Sequence, residues 1–281
     1  MAFLRWALQI GLLSQVFWLP GTAWADGTFH DRLAKTNEEL ALRPDDSALL
    51  LRVAQLYLEH EEWTKALEVT EKVEKSSPGE IGTKLVRGQA WLMAAQPEKA
   101  REELDLYLQE RPEDPKVLIL RGRCFDLLEQ GDRSIADFRK ALELTKEPGP
   151  DLYHEAAALL EKYGFRKEAI ATLDVGISKL GPLPSLALLA LQAEEKAGDI
   201  DAALTRIDAM QKAAPRPEPW MAKRAALLGR AHQQEASKAA WLELKSHLEA
   251  LPSQEHSSNS MSQLLEETLT AIAAADPAAV K

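Results

Sequence analysis

Three groups of side chains in this sequence could carry chemistry: the histidines, several adjacent pairs of acidic residues and one cysteine. A zinc site on a helix needs two ligands on one helical face, as in the His-Glu-x-x-His pattern. No two histidines have that or any other close spacing, so we interpret them as surface or packing residues and predict no metal site. They are His30, His60, His154, His232, His247 and His256.

The adjacent acidic residues could act as a general acid and a general base, but such pairs are usually solvated helix faces, and we interpret them so. They are Glu61-Glu62, Glu102-Glu103, Glu194-Glu195 and Glu266-Glu267. No glycine-rich phosphate-binding loop, dinucleotide-binding pattern or Gly-x-Ser-x-Gly motif is present. Cys124 lies between the small Gly122 and Phe125 and is predicted to fill space between helices, with a reactive thiol as the alternative. We predict no catalytic residue and no cofactor.

The composition predicts a folded, acidic protein. Of 281 residues, 46% are hydrophobic and 28% are charged, which is too apolar for a disordered chain. The formal net charge of −10 argues against a general affinity for nucleic acid or anionic lipid. A single cysteine excludes an internal disulfide and a cysteine zinc site. A basic or zwitterionic partner is compatible with this charge.

Residues 1–25 have the pattern of a secretory signal peptide: a basic start, an apolar run and small residues at Ala23 and Ala25. We predict cleavage before Asp26, and an uncleaved anchor helix is the alternative. The apolar run is too short to span a bilayer easily. With no disulfide and no Asn-x-Ser/Thr acceptor, the expected location is periplasmic or secreted, and the mature chain has no membrane span.

The elements that position these side chains repeat with a period of 34 residues, marked by Pro44, Pro78 and Pro112. In a frame that starts at Ser47, small residues recur at positions 8 and 20 and aromatic residues at position 11. Those residues are Ala54, Gly88 and Gly122, then Ala66, Ala100 and Ser134, then Tyr57, Trp91 and Phe125.

This pattern resembles the tetratricopeptide repeat. The resemblance implies an all-α fold, an α-solenoid of about six helical hairpins, in which the small residues let two antiparallel helices approach. The later units keep the period but lose the aromatic residue, as at Leu160. We predict a signal peptide (1–25), an N-terminal helix (26–46), a repeat region (47–252) and a polar link with a capping helix (253–281). The predicted units are 47–80, 81–114, 115–149, 150–183, 184–217 and 218–252.

In proteins of this family, positions 2, 5, 9, 12 and 13 of each first helix line the concave face, so the resemblance implies a partner groove there. The predicted groove residues are Leu51, Gln55, Leu58, Leu85, Gln89, Leu92, Ile119, Arg123 and Asp126. The alternative for the leucines is packing between adjacent units, and Met93 and Leu127 are compatible with either role. Apolar residues at position 5 replace the lysine of the family's carboxylate clamp, so we expect an apolar or amphipathic partner segment.

The sequence thus predicts a non-enzymatic protein- or peptide-binding scaffold of the bacterial cell envelope. A structural subunit of a larger envelope assembly or secretion machine is the alternative within binding proteins. A hydrolytic enzyme is the more distant alternative.

Overall fold

The structure is a computed structural model that describes residues 22–252 and 259–275. The predicted signal peptide up to position 21 and the predicted polar link at 253–258 lie outside the described residues. Within the described ranges the chain forms fourteen α-helices and no β-strand. They are α1 (Thr22–Leu42), α2 (Ser47–Glu59), α3 (Trp63–Ser76), α4 (Ile81–Met93), α5 (Pro97–Glu110), α6 (Pro115–Leu127), α7 (Gly131–Leu144), α8 (Pro150–Lys162), α9 (Arg166–Leu180), α10 (Pro184–Ala197), α11 (Ile200–Ala213), α12 (Glu218–Arg230), α13 (Gln234–Ala250) and α14 (Asn259–Ala275).

Helices α2 to α13 form six consecutive hairpins, each with a first helix and a second helix, and α1 and α14 flank them. Below, positions are counted from the first residue of each first helix. The predicted all-α fold class, with about six hairpins and an extra helix at each end, is confirmed. Helix α1 begins four residues before the N-terminal helix predicted at 26–46, since residues 22–28 contain no proline to stop it.

Several helices begin where the sequence supplies a side-chain cap or a proline. The carboxylates of Asp46 and Asp114 each accept hydrogen bonds from two backbone amides in the first turn of α2 and α6. Proline at the first helical position opens α6, α8 and α10, where its missing amide hydrogen costs nothing.

The turn inside every hairpin has the same backbone geometry. Position 15 has a positive φ in all six hairpins, although only two of these residues are glycines, which adopt that conformation without strain. The six residues, with φ between 53° and 87°, are Glu61, Ala95, Glu129, Gly164, Gly198 and His232. The later hairpins therefore keep the turn of the first three.

The close approach of the two helices also recurs in every hairpin. Position 20 is small and at most 5% exposed throughout, at Ala66, Ala100, Ser134, Ala169, Ala203 and Ser237. In the third and sixth hairpins its hydroxyl donates to the carbonyl at position 8 of the facing helix. These bonds run from Ser134 Oγ to Gly122 O (2.7 Å) and from Ser237 Oγ to Ala225 O (2.8 Å). A larger side chain would separate the helices.

The chain divides into two compact units, residues 1–137 and 138–281, and the boundary falls within α7. They are called the first and second units below. The core of the first unit includes Leu50, Val53 and Val73. In the second unit, Met261 of α14 packs with Met221 and Leu244, so α14 covers the apolar side of the sixth hairpin.

Candidate functional site

The position-5 residues of the first three hairpins, Leu51, Leu85 and Ile119, are all partly buried. Leu51 reaches across to the next hairpin, because a Cβ atom added at Gly82 would lie 2.5 Å from its Cδ1 atom. It also packs against the core of the first hairpin. For Leu51, packing between adjacent hairpins therefore accounts for the side chain.

Leu58 does not line an open surface, so the prediction that it lines the groove was wrong. Its exposed fraction is 6%, and it belongs to one apolar cluster with Ala66, Val86 and Ala90. Position 12 directs this side chain into the space between two consecutive first helices. The equivalent Leu92 of the second hairpin is partly buried.

The position-9 residues provide polar groups on the same helices. Gln55 and Gln89 are partly buried, and Arg123 is exposed. The Oε1 atom of Gln89 is buried and accepts no hydrogen bond in the described part of the chain. An amide oxygen without a partner costs about 1–3 kcal/mol. Asp126 lies one turn after Arg123 and is partly buried.

Two large apolar side chains stand out on these helices. Met93 and Leu127 occupy position 13 of the second and third hairpins, and their exposed fractions are 41% and 39%. At the equivalent position of the first hairpin, Glu59 pairs with Arg32 of α1 at 2.9 Å. The sequence left the roles of Met93 and Leu127 open, and the structure leaves both side chains partly exposed to solvent.

The structure shows the surroundings of Cys124 and of the residues that could ligate a metal. Cys124 is completely buried, and desolvation raises the pKa of its thiol to about 12. The thiol is therefore protonated at neutral pH and is a poor nucleophile. Among residues 22–252 and 259–275, no three His, Cys, Asp or Glu side chains are grouped so that they could hold a metal ion.

One acidic residue that was interpreted as part of a solvated helix face is instead buried. Glu194 is 3% exposed, at position 11, where the first three hairpins have aromatic residues. Both of its carboxylate oxygens accept hydrogen bonds from Arg206, whose Nη1 atom also lies 2.9 Å from Asp174. The interpretation of Glu194 as solvated was wrong, because this arginine compensates the buried charge.

The first unit contains a similar network around one arginine. Arg121 donates to both oxygens of Asp137 at 2.8 Å and to Asp105 at 3.0 Å. Asp105 lies on the second helix of one hairpin, and Arg121 lies on the first helix of the next. These charged side chains therefore join consecutive hairpins, which is a structural role.

None of the helices in the described ranges has both the length and the apolar character needed to cross a membrane.

Comparison with known proteins identifies the fold. No protein-family model matches the sequence, and no curated protein matches it. Among solved structures, the C-terminal part of a TPR repeat-containing protein from Cytophaga hutchinsonii aligns with 81% of this chain and 96% of its own, at 15% identity and a TM-score of 0.58.

Two further structures are similar over most of the chain. A tetratricopeptide repeat protein from Parabacteroides merdae covers 87% of this chain and 94% of its own, with 17% identity and a TM-score of 0.50. Pseudomonas aeruginosa PilF covers 81% and 98%, with 12% identity and a TM-score of 0.51. Together with the repeated small residues and turns, these likenesses confirm the resemblance at the level of the fold: the chain has the tetratricopeptide-repeat fold.

Proposed function

We propose that this chain is a non-enzymatic protein-binding scaffold of the bacterial cell envelope, and that its first unit binds a partner segment on its first helices. We call the proposed site the first-helix surface. It consists of Leu85, Gln89, Leu92, Met93, Ile119, Arg123, Asp126 and Leu127. Gln55 extends it into the first hairpin. Leu51 and Leu58 are excluded, because Leu51 packs against the next hairpin and Leu58 is buried.

The observation that carries the proposal is the exposure of Met93 and Leu127 at the same position of consecutive hairpins. Burying a methionine or leucine side chain completely is worth about 1.5–3 kcal/mol, and about three fifths of each is already buried in the chain alone. A partner that covers both would gain the remainder. This favours an apolar or amphipathic segment as the ligand.

Polar groups beside this apolar pair can fix the orientation of such a segment. The guanidinium of Arg123 can donate to a carbonyl or carboxylate of the partner. The Oε1 atom of Gln89 has no hydrogen-bond donor, so rotation of its terminal amide would let a partner N–H group satisfy it. Apolar anchors with polar contacts beside them are the usual arrangement in peptide recognition by helical grooves.

The burial of two side chains supports the proposal that the protein is not an enzyme. Cys124 and Glu194, which sequence alone left available for chemistry, are inside the protein. Glu194 is already engaged by Arg206. Both side chains thus contribute to the packing of the hairpins.

The apolar pair provides the test of the first-helix surface. We expect Met93→Asp and Leu127→Asp each to weaken binding at least about tenfold, which corresponds to roughly 1.4 kcal/mol, because a carboxylate would be desolvated against the partner. The partner would be captured by cross-linking from envelope extract, and its affinity would be measured by calorimetry.

The matched control is Leu106→Asp. Leu106 is 42% exposed, lies on the second helix α5 and belongs to the same unit. Gln89→Ala and Arg123→Ala should weaken binding, whereas Arg133→Ala on α7 should not. If the Leu106 variant loses affinity and the Met93 and Leu127 variants do not, the binding surface lies on the second helices instead.

The envelope location is a separate prediction. Signal-peptide cleavage before Asp26 would leave 281 − 25 = 256 residues. Intact mass measurement of protein purified from the producing cell should therefore give a chain that begins at Asp26. Recovery of the complete 281-residue chain in the membrane fraction would refute the cleavage and favour the uncleaved anchor helix.

A further inference from the structure

The second unit contains a cavity between its first two hairpins. Its volume is about 280 Å³, and its apolar wall includes Ala157 and Ala169 of the fourth hairpin and Leu189 and Ala193 of the fifth. Ala169 is 1% exposed, so the cavity reaches the close approach of α8 and α9. The open side is bordered by Lys162 and Lys196.

The first hairpin shows which side chain can fill the equivalent space. Position for position, the four wall residues correspond to Ala54, Ala66, Val86 and Ala90. In the first unit those four residues form one apolar cluster with Leu58. Leu58 is at position 12, and the residue at position 12 of the fourth hairpin is Glu161. The cavity therefore lies where the Leu58 side chain lies in the first hairpin, and it is open because the fourth hairpin has a glutamate at that position.

Glu161 does not fill the space because its carboxylate turns toward basic side chains. It accepts hydrogen bonds from Arg166 Nε at 3.0 Å and 3.1 Å, and it lies 3.7 Å from Lys196 Nζ. The same change occurs one repeat later. Position 12 of the fifth hairpin is Glu195, which pairs with Arg230 at 2.8 Å and borders a second cavity of about 370 Å³.

The charge at the mouth of the first cavity is positive. Of the charged residues that line it, Lys162 and Lys196 are basic and Glu161 is acidic, so the sum is 2 − 1 = +1. The whole chain has a formal net charge of −10, so this is a local reversal of sign. A cationic rim favours an acidic ligand over a basic one.

We propose that this cavity is a second binding site, which takes a leucine side chain from an acidic segment of a partner protein. The leucine occupies the space that Leu58 fills in the first unit. Carboxylates that flank the leucine in the partner lie against Lys162 and Lys196. The site lies on a different unit from the first-helix surface and does not depend on it.

The test uses synthetic nonapeptides and the mature protein with methyl-labelled alanine and leucine. An acidic peptide with a central leucine should produce saturable shifts of the Ala158, Ala193 and Leu189 methyl signals. The same peptide with a central alanine should bind at least about fivefold more weakly, because it leaves the cavity empty. A basic peptide with a central leucine should produce no saturable shift.

Glu161→Leu tests the cavity directly. Filling it should raise the melting temperature by about 2–4 °C and abolish peptide binding. The matched variant Glu161→Gln removes the charge without filling the cavity and should keep the binding. Lys162→Glu should weaken binding of the acidic peptide at least about fivefold. Because Lys162 is exposed, this variant should fold and can test the proposal even if Glu161→Leu fails to fold.

Met93→Asp separates this site from the first-helix surface, since it should leave the peptide affinity unchanged. Equal affinity for the acidic and basic peptides would overturn the proposal. So would wild-type binding by a folded Glu161→Leu variant, or shifts confined to the first unit.

Discussion

Replacing Arg206 with alanine is expected to destabilise the second unit by about 3–5 kcal/mol, the usual cost of leaving one partner of a buried ion pair behind. Arg206 supplies two of its nitrogens to the carboxylate of Glu194. The side chains are 13% and 5% exposed, so water cannot replace the lost guanidinium at Glu194. Asp174 is half exposed and loses little by comparison.

Urea unfolding followed by circular dichroism would measure this loss. Arg139→Ala is the matched control, because Arg139 also pairs with a glutamate, Glu168, but both side chains are 51% exposed. Exposed pairs contribute about 0–1 kcal/mol. The double variant Arg206→Met with Glu194→Met should recover much of the stability, since no buried charge remains. A loss below about 1 kcal/mol for Arg206→Ala would mean that Glu194 is hydrated.

Gly88→Leu is expected to cost about 3 kcal/mol, the upper end of the usual range for overpacking. A Cβ atom at Gly88 would lie 2.6 Å from Cδ2 and 2.7 Å from Cγ of Leu104, which is completely buried. A leucine would add three further carbon atoms at this contact between α4 and α5. The two helices would have to separate, because the side chain of Leu104 has no space to retreat into.

Thermal and urea unfolding would decide this prediction. The control is Gly149→Ala, because Gly149 has a φ of −73° and no atom within 4 Å of its added Cβ position. That variant should lose at most about 1 kcal/mol, because its only expected effect is alanine in place of glycine at the N-cap of α8. A change within about 0.5 kcal/mol for Gly88→Leu would show that position 8 is not a close contact and that the repeat frame is wrong.

The period of the hairpins could be predicted from sequence because it depends on residues with strong local effects. Prolines stop helices, and only small residues permit the contact at Gly88 and Ala100. The later hairpins gave a weaker pattern for a local reason. One extra residue lies between the third and fourth hairpins. Counting a constant period along the sequence therefore does not align Ala169 with Ala100. In the structure, the positive φ shared at position 15 aligns the hairpins and shows that Ala169 and Ala100 occupy the same position.

The candidate binding residues were harder to predict, because the position of a residue in the repeat does not determine where its side chain lies. Leu58 and Glu161 occupy the same position, yet Leu58 is buried and Glu161 turns to Arg166. The outcome depends on what the neighbouring hairpin offers. Glu194 was misjudged for the same reason, since its partner Arg206 is twelve residues away and on another helix.

The central claim is that partner proteins bind the first-helix surface, and site-specific photocross-linking in living cells tests it most directly. A benzophenone amino acid would replace Leu127 in one variant and Leu106 in another. These side chains have nearly equal exposure, 39% and 42%, but lie on a first helix and a second helix. We predict a protein adduct from position 127 and none from position 106. An adduct from position 106 alone would contradict the account.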